Sequence, residues 1–443
     1  MKKTTIAALI FSAFAAMPGA ANAQSQQPDS SEAAFKAALG YTVQIRTAVT
    51  TPLEGDTKGT SRGAGFVVDL ERGWIMTNAH VVSRSPSRVE VALRNGEYVE
   101  AEKIYVDPHL DLAIIRLPQS QRASVTQAPI ECRDTPAVGH TVGAFGHPWN
   151  LSYTGTRGII SGVTSRTSIE LLQTDAPING GNSGGPLISL ATQRIVGINT
   201  AGIQGSQNTN FAVAMPYACR VLDLLRAGAD PSPPSLPIVY FNEREDSPQL
   251  KVARNYGGMD VIGLQPGDVI EGVVGVPGTL RNETQLNHAL RGRLEGFELN
   301  VLRNNERIVV RGSAQPQQTA LDTQGVVTAG ILFAPTPLRD AAEIKVGAMM
   351  VHFVDRGSDG DAKELRRGDF LEAVNGQSVS NVNELRQALA QAGGMATLTL
   401  KRYSGGHRVF TYLERQIRID RVESVAGRAV QGVAASLPES RLN

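Results

Sequence analysis

From Tyr41 onward the chain breaks into short runs of β-forming residues closed by Gly, Asn, Asp or Pro, and this punctuation most limits what it can fold into. Gly65-Phe66-Val67-Val68, Trp74-Ile75-Met76-Thr77, Val89–Leu93 and Leu112–Leu117 are such runs, followed by Gly158–Ser161, Pro186–Ile188 and Ile195–Ile198. Their spacing predicts a barrel or sandwich of many strands rather than βαβ units. The 45 glycines and the low aromatic content of 5% suit a fold with many tight turns. A helix is predicted over Tyr217–Leu225, where Val221, Leu222, Leu224 and Leu225 are apolar and Gly228 supplies a stop. Asp230-Pro231-Ser232-Pro233-Pro234 then breaks regular structure and reads as a linker.

Beyond the linker the sequence repeats itself. Leu264-Gln265-Pro266-Gly267-Asp268-Val269-Ile270-Glu271 is echoed by Leu365-Arg366-Arg367-Gly368-Asp369-Phe370-Leu371-Glu372. Each stretch precedes a short helical pattern, with Leu286 and Leu290 in one and Val382, Leu385 and Leu389 in the other. Each then reaches a strand, Phe297–Arg303 and Ala396–Arg402. Two copies of one small α+β module are the simplest account, because helix and strand recur in order after the turn. The resulting plan is an N-terminal segment 24–40, a β domain 41–228, a linker 229–240, a first module 241–313, a linker 314–325, a second module 326–416 and a loosely ordered tail 417–443. The N-terminal segment reads as a tether or a short helix.

Residues 1–23 are expected to be an export signal rather than part of the fold. Lys2 and Lys3 precede an apolar run, Ile6–Met17, and Ala21-Asn22-Ala23 offers a cleavage site before Gln24. The competing reading, a membrane anchor, is disfavoured by the shortness of the run and by Pro18-Gly19 at its end. The layout is that of a bacterial export signal and predicts a periplasmic protein. A chain of 443 residues and net charge +1, without a dense Lys/Arg block, gives no reason to expect nucleic acid as a partner. Two cysteines in an oxidising compartment leave two states open, one Cys132–Cys219 bridge or two separate thiols. With no CxxC pair and no clustered histidines, neither a metal nor another cofactor is expected.

The chemistry is carried by Asp175-Ala176-Pro177-Ile178-Asn179-Gly180-Gly181-Asn182-Ser183-Gly184-Gly185-Pro186. A serine set among four glycines belongs either to an ordinary tight turn or to a site where the backbone approaches another molecule closely. A serine hydroxyl becomes a nucleophile only when a base accepts its proton. Of seven histidines, His80 in Thr77-Asn78-Ala79-His80-Val81-Val82 sits at the edge of an apolar core, whereas His109, His140, His147, His288, His352 and His407 lie in polar or turn contexts. The imidazole needs a carboxylate to hold its tautomer. Asp111 is favoured because it abuts the buried strand Leu112–Leu117, where a desolvated carboxylate would face His80; Asp107, before Pro108, is expected to open a turn. The order His80, Asp111, Ser183 is the one found for this triad on double β-barrels. The amides of Gly181 and Ser183 are then the expected oxyanion donors. Gly180 and Gly181 would supply unusual dihedrals, and Gly184-Gly185 would let the next strand pass close by.

TNAHVV, DLAI, QTDAPINGGNSGGPL and TNFAVAMP together resemble the trypsin-like serine proteases of the HtrA (Deg) family. The resemblance runs to about residue 416 and implies a mainly β chain: a chymotrypsin-like double β-barrel protease domain followed by two small α+β PDZ domains. It implies His80, Asp111 and Ser183 as the triad and Gly181 as oxyanion donor. Ile198-Asn199-Thr200-Ala201-Gly202 would form a pocket wall, and Pro177 with Ile178 the uncharged pocket base. An uncharged, narrow pocket predicts cleavage after Val, Ala or Ile. Gly180 departs from the family's usual proline, and the segment between Arg46 and Arg62 is too short for a long regulatory arm. In the second module Ala329-Gly330-Ile331-Leu332-Phe333 resembles the loop with which a PDZ domain holds a C-terminal carboxylate, with Leu332 where a second glycine is common. In the first module Leu236–Tyr240 is a poor substitute, so that copy is either a peptide binder or a packing element. The expected activity is ATP-independent degradation of unfolded or mislocalised envelope proteins by a homo-oligomer, a trimer or a multiple of one. A sensor protease cleaving one partner, and a chaperone or scaffold with an idle triad, are the alternatives.

Overall fold

A chain of short strands leaves no sheet edge exposed when the sheet closes on itself, and this protein closes two. The structure, a computed structural model, describes residues 30–426 apart from 54, 94–95, 148–152, 165–168, 203–208, 242–248, 260, 318, 337–346 and 405–408. The expected export signal, His407 and the tail beyond Ala426 lie outside the described residues.

The first barrel comprises β1 (Thr42–Val49), β2 (Gly59–Asp69), β3 (Trp74–Thr77), β4 (Arg88–Ala92), β5 (Tyr98–Asp107) and β6 (Leu112–Arg116), closed in the order β1-β2-β3-β6-β5-β4. A one-turn helix, α2 (Ala79–Val82), follows β3, and α1 (Ser30–Tyr41) precedes β1. The second barrel comprises β7 (Thr141–Gly146), β8 (Thr154–Thr164), β9 (Leu171–Thr174), β10 (Pro186–Ser189), β11 (Ile195–Gly202) and β12 (Asn210–Ala214), closed in the order β10-β11-β12-β9-β8-β7. Alternation along a strand sends neighbouring side chains to different cores. On β3 and β6, Ile75, Ala113 and Ile115 fill the first barrel, while Met76, Leu112 and Ile114 join Phe66, Phe145, Ile188 and Ile198 in a core between the barrels. Helix α3 (Met215–Arg226) covers that core with Met215, Ala218, Cys219, Val221 and Leu222. The N-terminal segment is helical where described, and Phe35 of α1 stacks on Phe145 at 5.6 Å.

The repeats are two separate antiparallel sheets. In the first module β14 (Ile238–Tyr240), β15 (Leu250–Asn255), β16 (Val269–Val273), β17 (Phe297–Arg303) and β18 (Glu306–Gly312) lie in sequence order, with α4 (Glu283–Leu290) packed on them. Short strands β13 (Pro234–Ser235) and β19 (Gln315–Pro316) pair with each other at its root. The second module contains β20 (Gln324–Thr328), β21 (Ile331–Pro335), β22 (Met349–Val354), β23 (Asp369–Val374), β24 (Gln377–Ser378), α5 (Val382–Gln391), β25 (Met395–Ser404), β26 (Val409–Arg418) and β27 (Glu423–Ala426). Its main sheet runs β26-β25-β23-β22-β21-β20-β27. Strand β14 thus occupies a stretch expected to be linker and β27 one expected to be tail; β14 is recruited by pairing with the next strand, β15, and β27 by pairing with the distant β20, which local composition does not report.

The repeat is written in side chains as well as topology. Asp268 receives Arg303 Nε at 2.8 Å and Nη2 at 2.7 Å, and Asp369 receives Arg402 Nε at 2.6 Å and Nη2 at 2.7 Å. Asn282 and Asn381 cap α4 and α5 through bonds from Gln285 N and Glu384 N.

Candidate active site

His80 and Asp111 meet because β3 and β6 are neighbours. Thr77, the last residue of β3, pairs with Ala113 at the start of β6, so the residues just past one end and just before the other face each other. Asp111 turns into β6 through a left-handed φ of 49°. His80 Nδ1 lies 2.9 Å from both carboxylate oxygens of Asp111, and the His80 amide donates to Oδ1 at 3.1 Å. Asn78 Nδ2 donates to the Asp111 carbonyl at 2.9 Å. The carboxylate is not desolvated as the apolar strand beside it suggested: the Asp111 side chain is 29% exposed and that of His80 49%. Polar neighbours hold it in place of burial. Thr200 Oγ1, expected in a pocket wall, donates to Asp111 Oδ2 at 2.7 Å from the second barrel. Nothing in the local sequence around Thr200 signals that contact, which exists only because the barrels pack face to face.

Asp107 has other work. Its buried carboxylate accepts from Tyr105 OH, His109 N and Leu110 N, and pairs with Arg291 of the first module at 2.5 Å. It therefore opens the turn as expected and also anchors a neighbouring domain.

The Ser183 loop is a chain of close approaches. Gly181 has φ 105° and Gly184 φ 82°, conformations that suit glycine; Gly180 has no positive φ and a Cβ there would meet nothing within 4 Å, which corrects the expectation of an unusual dihedral at that residue. A Cβ on Gly184 would meet Thr77 Oγ1 at 2.1 Å and Asn78 N at 3.2 Å, so the loop lies directly against the segment carrying His80. Ala64 N donates to Ser183 O at 2.8 Å. Asn199 clamps the loop from β11, accepting from Gly184 N at 2.8 Å and donating its own N–H to Gly185 O at 2.9 Å. Among the described residues neither the Gly181 nor the Ser183 amide donates to an acceptor of the chain, and no hydrogen bond joins Ser183 Oγ to the His80 ring. That last contact commonly tightens only around substrate.

The pocket residues divide. Pro177 is exposed and Ile178 half-buried against the second-barrel core. Ile198 is fully buried between the barrels and Asn199 Nδ2 is bonded to Pro186 O at 3.0 Å, so both are structural rather than lining. Ile198 points inward because β11 is covered on that side by the other barrel. The side chain of Ala201 and the loop 203–208 lie outside the described residues. A groove of about 750 Å³ lies between α1 and the barrels, lined by Lys36, Tyr41, Thr126 and Arg194, with none of His80, Asp111 and Ser183 in its wall.

The other described histidines are structural. His140 bonds Ser189 Oγ at 2.8 Å, and His109 bonds Gln317 Oε1 at 3.1 Å. His147 packs edge-on to Tyr153 and donates its amide to Gly181 O at 3.4 Å, supporting the serine loop in a way its sequence context did not reveal. Burial, reinforced by the Arg62 charge, pushes its imidazole down to about 4, so it stays neutral near pH 7. Cys132 and Cys219 are joined by a disulfide with Cα atoms 5.7 Å apart, tying the inter-barrel connection to α3. Among the described residues no group of three His, Cys, Asp or Glu could hold a metal ion, and no helix is long and apolar enough to cross a membrane.

The stretch resembling a carboxylate-binding loop is differently built. Thr328 pairs with Ile331 across a two-residue turn, with Ala329 at φ 50° and Gly330 at φ 75°, the signature of a tight hairpin. Ile331, Leu332 and Phe333 lie in β21, which is paired with β20 on one side and β22 on the other. The Ala329 amide is taken by the protein's own Asp420 carboxylate at 3.3 Å. A peptide could add to β21 only after β20 had left. The expectation of an open loop at Gly330–Phe333 is corrected on this ground: the preceding residues fold back as a strand.

Comparison with known proteins brings out the same architecture. Residues 63–198 match the family described as the trypsin-like peptidase domain. A Chlamydia muridarum protein named "Probable periplasmic serine endoprotease DegP-like" is 30% identical over 366 residues, covering 76% of this chain and 72% of that protein. The "Periplasmic pH-dependent serine endoprotease DegQ" of Escherichia coli is 25% identical over 374 residues, covering 77% and 78%. The crystal structure of the serine endoprotease from Yersinia pestis superposes with a TM-score of 0.50 at 28% identity, covering 66% of this chain and all of that one.

Proposed function

The chain belongs to the HtrA (Deg) family of serine endoproteases, and from that premise we propose that His80, Asp111 and Ser183 form its catalytic triad and act on protein chains in the periplasm. The protein is a serine endopeptidase with a mainly β, double-barrel protease domain. The observation that carries the triad reading is the Asp111 carboxylate, held by Thr200 and presented to His80 Nδ1 beside a serine loop with two unpaired amides.

Ser183 Oγ attacks the scissile carbonyl carbon while His80 Nε2 accepts its proton. Asp111 keeps the Nδ1 proton in place and stabilises the imidazolium that results. The tetrahedral oxyanion is received by the Gly181 and Ser183 amides, each such donor being worth about 3 kcal/mol. Nε2 then returns the proton to the amine as the C–N bond breaks, and water repeats the sequence on the acyl-enzyme. Pro177 and Ile178 offer no counter-ion to a Lys or Arg side chain, which favours small aliphatic residues before the cut. The same reading has the protein degrading unfolded envelope proteins as a homo-oligomer.

Casein digestion and fluorophosphonate labelling of the purified exported chain test the assignment together. Ser183→Ala should lower turnover by roughly 10⁴-fold or more and abolish labelling. Undiminished turnover in that variant would sink the triad, and a majority of cuts after Lys, Arg or large aromatics in a denatured substrate would sink the pocket.

A further inference from the structure

Catalysis by this arrangement depends on where α2 holds His80, and α2 is too short to hold itself. A single helical turn has no intrinsic stability, and Asn78 at its start makes no side-chain capping bond. Its end is unusual, since Ser83 leaves the helix with φ 62°, a conformation that costs a non-glycine residue free energy unless the surroundings impose it. Two groups impose it. The buried Lys103 donates Nζ to the Ser83 carbonyl at 3.1 Å and to that of Ser85 at 2.7 Å. Asp56 Oδ2 accepts from Ser83 Oγ at 2.5 Å, Ser85 Oγ at 2.6 Å and Ser85 N at 3.1 Å.

Asp56 is not part of a strand. It lies between β1 and β2, in a stretch too short to project as an arm, and the flanking residues are gripped by the second C-terminal module. Leu53 donates its amide to Ser85 Oγ at 2.8 Å and buries its side chain against Leu332, Ala334 and Val425 of β21 and β27. Lys58 Nζ lies 2.9 Å from both carboxylate oxygens of Asp355, just past β22, and 5.8 Å above the Phe353 ring. One short stretch thus touches the module on one side and the exit of the catalytic helix on the other.

We propose that Asp56 is a positioning residue for His80, and that the second module, docked through Leu53 and Lys58, keeps Asp56 in register. The proposal rests on the triad reading above. When Asp56 is held, Ser83 stays in its strained conformation and α2 presents the His80 ring to the serine. When the module shifts, Ser83 relaxes and the ring loses its aim, while the protein substrate still finds the same cleft. The effect therefore falls on kcat and not on KM.

The test uses the full-length exported chain, with kcat expressed per fluorophosphonate-titrated site so that unfolded molecules do not count. Asp56→Ala should lower kcat about tenfold, change KM less than twofold and slow Ser183 labelling in parallel. Asp56→Asn keeps an acceptor oxygen and should recover to within about threefold of the native rate. Lys58→Glu and Asp355→Lys should each lower kcat about threefold, a modest loss suited to an exposed pair, and combining them should restore it. Should Asp56→Ala fail to fold, the Asn variant and the charge reversal decide the matter. Native kcat per site in Asp56→Ala, or in the Asn variant an unmoved KM with a loss as large as tenfold, would overturn the positioning role. Charge-reversal singles without effect, or a double variant no better than either, would overturn the link to the module. A native protein that fluorophosphonate does not label at Ser183 would overturn the triad and this proposal together; a labelled native protein confines any failure to Asp56.

Discussion

The two C-terminal modules share one internal plan and are fastened to the protease domain by opposite means. The first is held by a buried ion pair: Arg291 and Asp107 side chains are 1% and 0% exposed, and Arg291 also donates to Tyr105 OH at 2.9 Å and Pro231 O at 2.5 Å. Arg220 of α3 donates to the Arg291 carbonyl at 2.8 Å, and the Tyr217 ring packs tilted against His288 with centroids 4.8 Å apart. The second is held by Lys58 and Asp355, each nearly half exposed, and by the small apolar cluster around Leu53. A buried pair cannot be half broken, because either partner left alone is an uncompensated charge; an exposed pair can open into water at little cost. The first module is thus a fixture and the second a part that can yield. Their sheet edges differ in the reverse sense. Among the described residues β14 carries no strand on its outer side, whereas β21 is enclosed by β20 and β22. A repeat therefore preserves the fold of a unit without preserving its attachment or its free edge.

The contrast is broken most directly at the buried pair. Arg291→Ala leaves Asp107 buried without its cation and should cost roughly 3–5 kcal/mol. Denaturant unfolding measures this, and limited proteolysis in the 229–237 stretch should accelerate sharply. A loss no greater than that of an exposed pair would erase the distinction between fixture and yielding part.

The shared plan is tested by Asp268→Ala and Asp369→Ala. Each removes a bidentate partner of one arginine, and each should cost about 2 kcal/mol in its own module. Unequal losses, read by unfolding of the two single variants, would show that the repeat is less symmetric in energy than in geometry.

Acid should act on the first attachment. Burial, aided by the charges of Arg291, Arg220 and Arg293, pushes His288 down to about 3 from an ordinary 6.5. The unfolded chain then binds a proton between pH 6.5 and 3 that the native chain refuses. Stability is accordingly unaffected above that window and falls with falling pH inside it, by at most about 1.4 kcal/mol per unit. His288→Phe keeps a ring for Tyr217 and removes the titration, so its unfolding free energy should decline less between pH 7 and 5 than that of the native chain. The buried His147 and His352 remain in both proteins and cancel in the difference. Identical slopes would refute the role of His288.

The smallest effect is expected at Lys58→Ala, which should change global stability by less than about 1 kcal/mol. Thermal unfolding suffices to check it, and a loss of several kcal/mol would mean that the second module is as firmly fixed as the first.

Much of this molecule is legible before any fold is known. The punctuation of short apolar runs announces a barrel or sandwich of many strands, because turn residues at such short intervals leave no room for crossover helices; that the sheets close is decided by pairing. The Gly267-Asp268 and Gly368-Asp369 turns announce the repeat, since the turn, helix and strand follow in the same order. His80, Asp111 and Ser183 stand out because each is a reactive side chain at the border of an apolar strand, and their order along the chain matches a known triad order. Other features are silent. Thr200 on Asp111, Arg291 on Asp107 and Asp56 on Ser83 join elements from different barrels, domains or strand ends, and no local pattern around either partner marks them. Ile198 reads as a pocket residue and turns out to be core, because the face of β11 it occupies is decided by the second sheet packed over it. Leu332 and Phe333 read as a ligand loop, yet β20 folds back onto β21 and makes them part of a paired strand.

Within the sequence lay most of the segments that become strands, the side chains that can carry acyl-transfer chemistry, and the fact that one module was written twice. These are properties of periodicity, turn geometry and functional-group chemistry, all of which act within a few residues. Only the packed fold decided that the Thr200 hydroxyl supports Asp111 beside His80, which module is locked by a buried charge pair, and which sheet edge is closed. Those outcomes depend on burial and on the meeting of residues far apart in the chain. The same arginine or aspartate is a structural lock or a surface charge according to what packs against it.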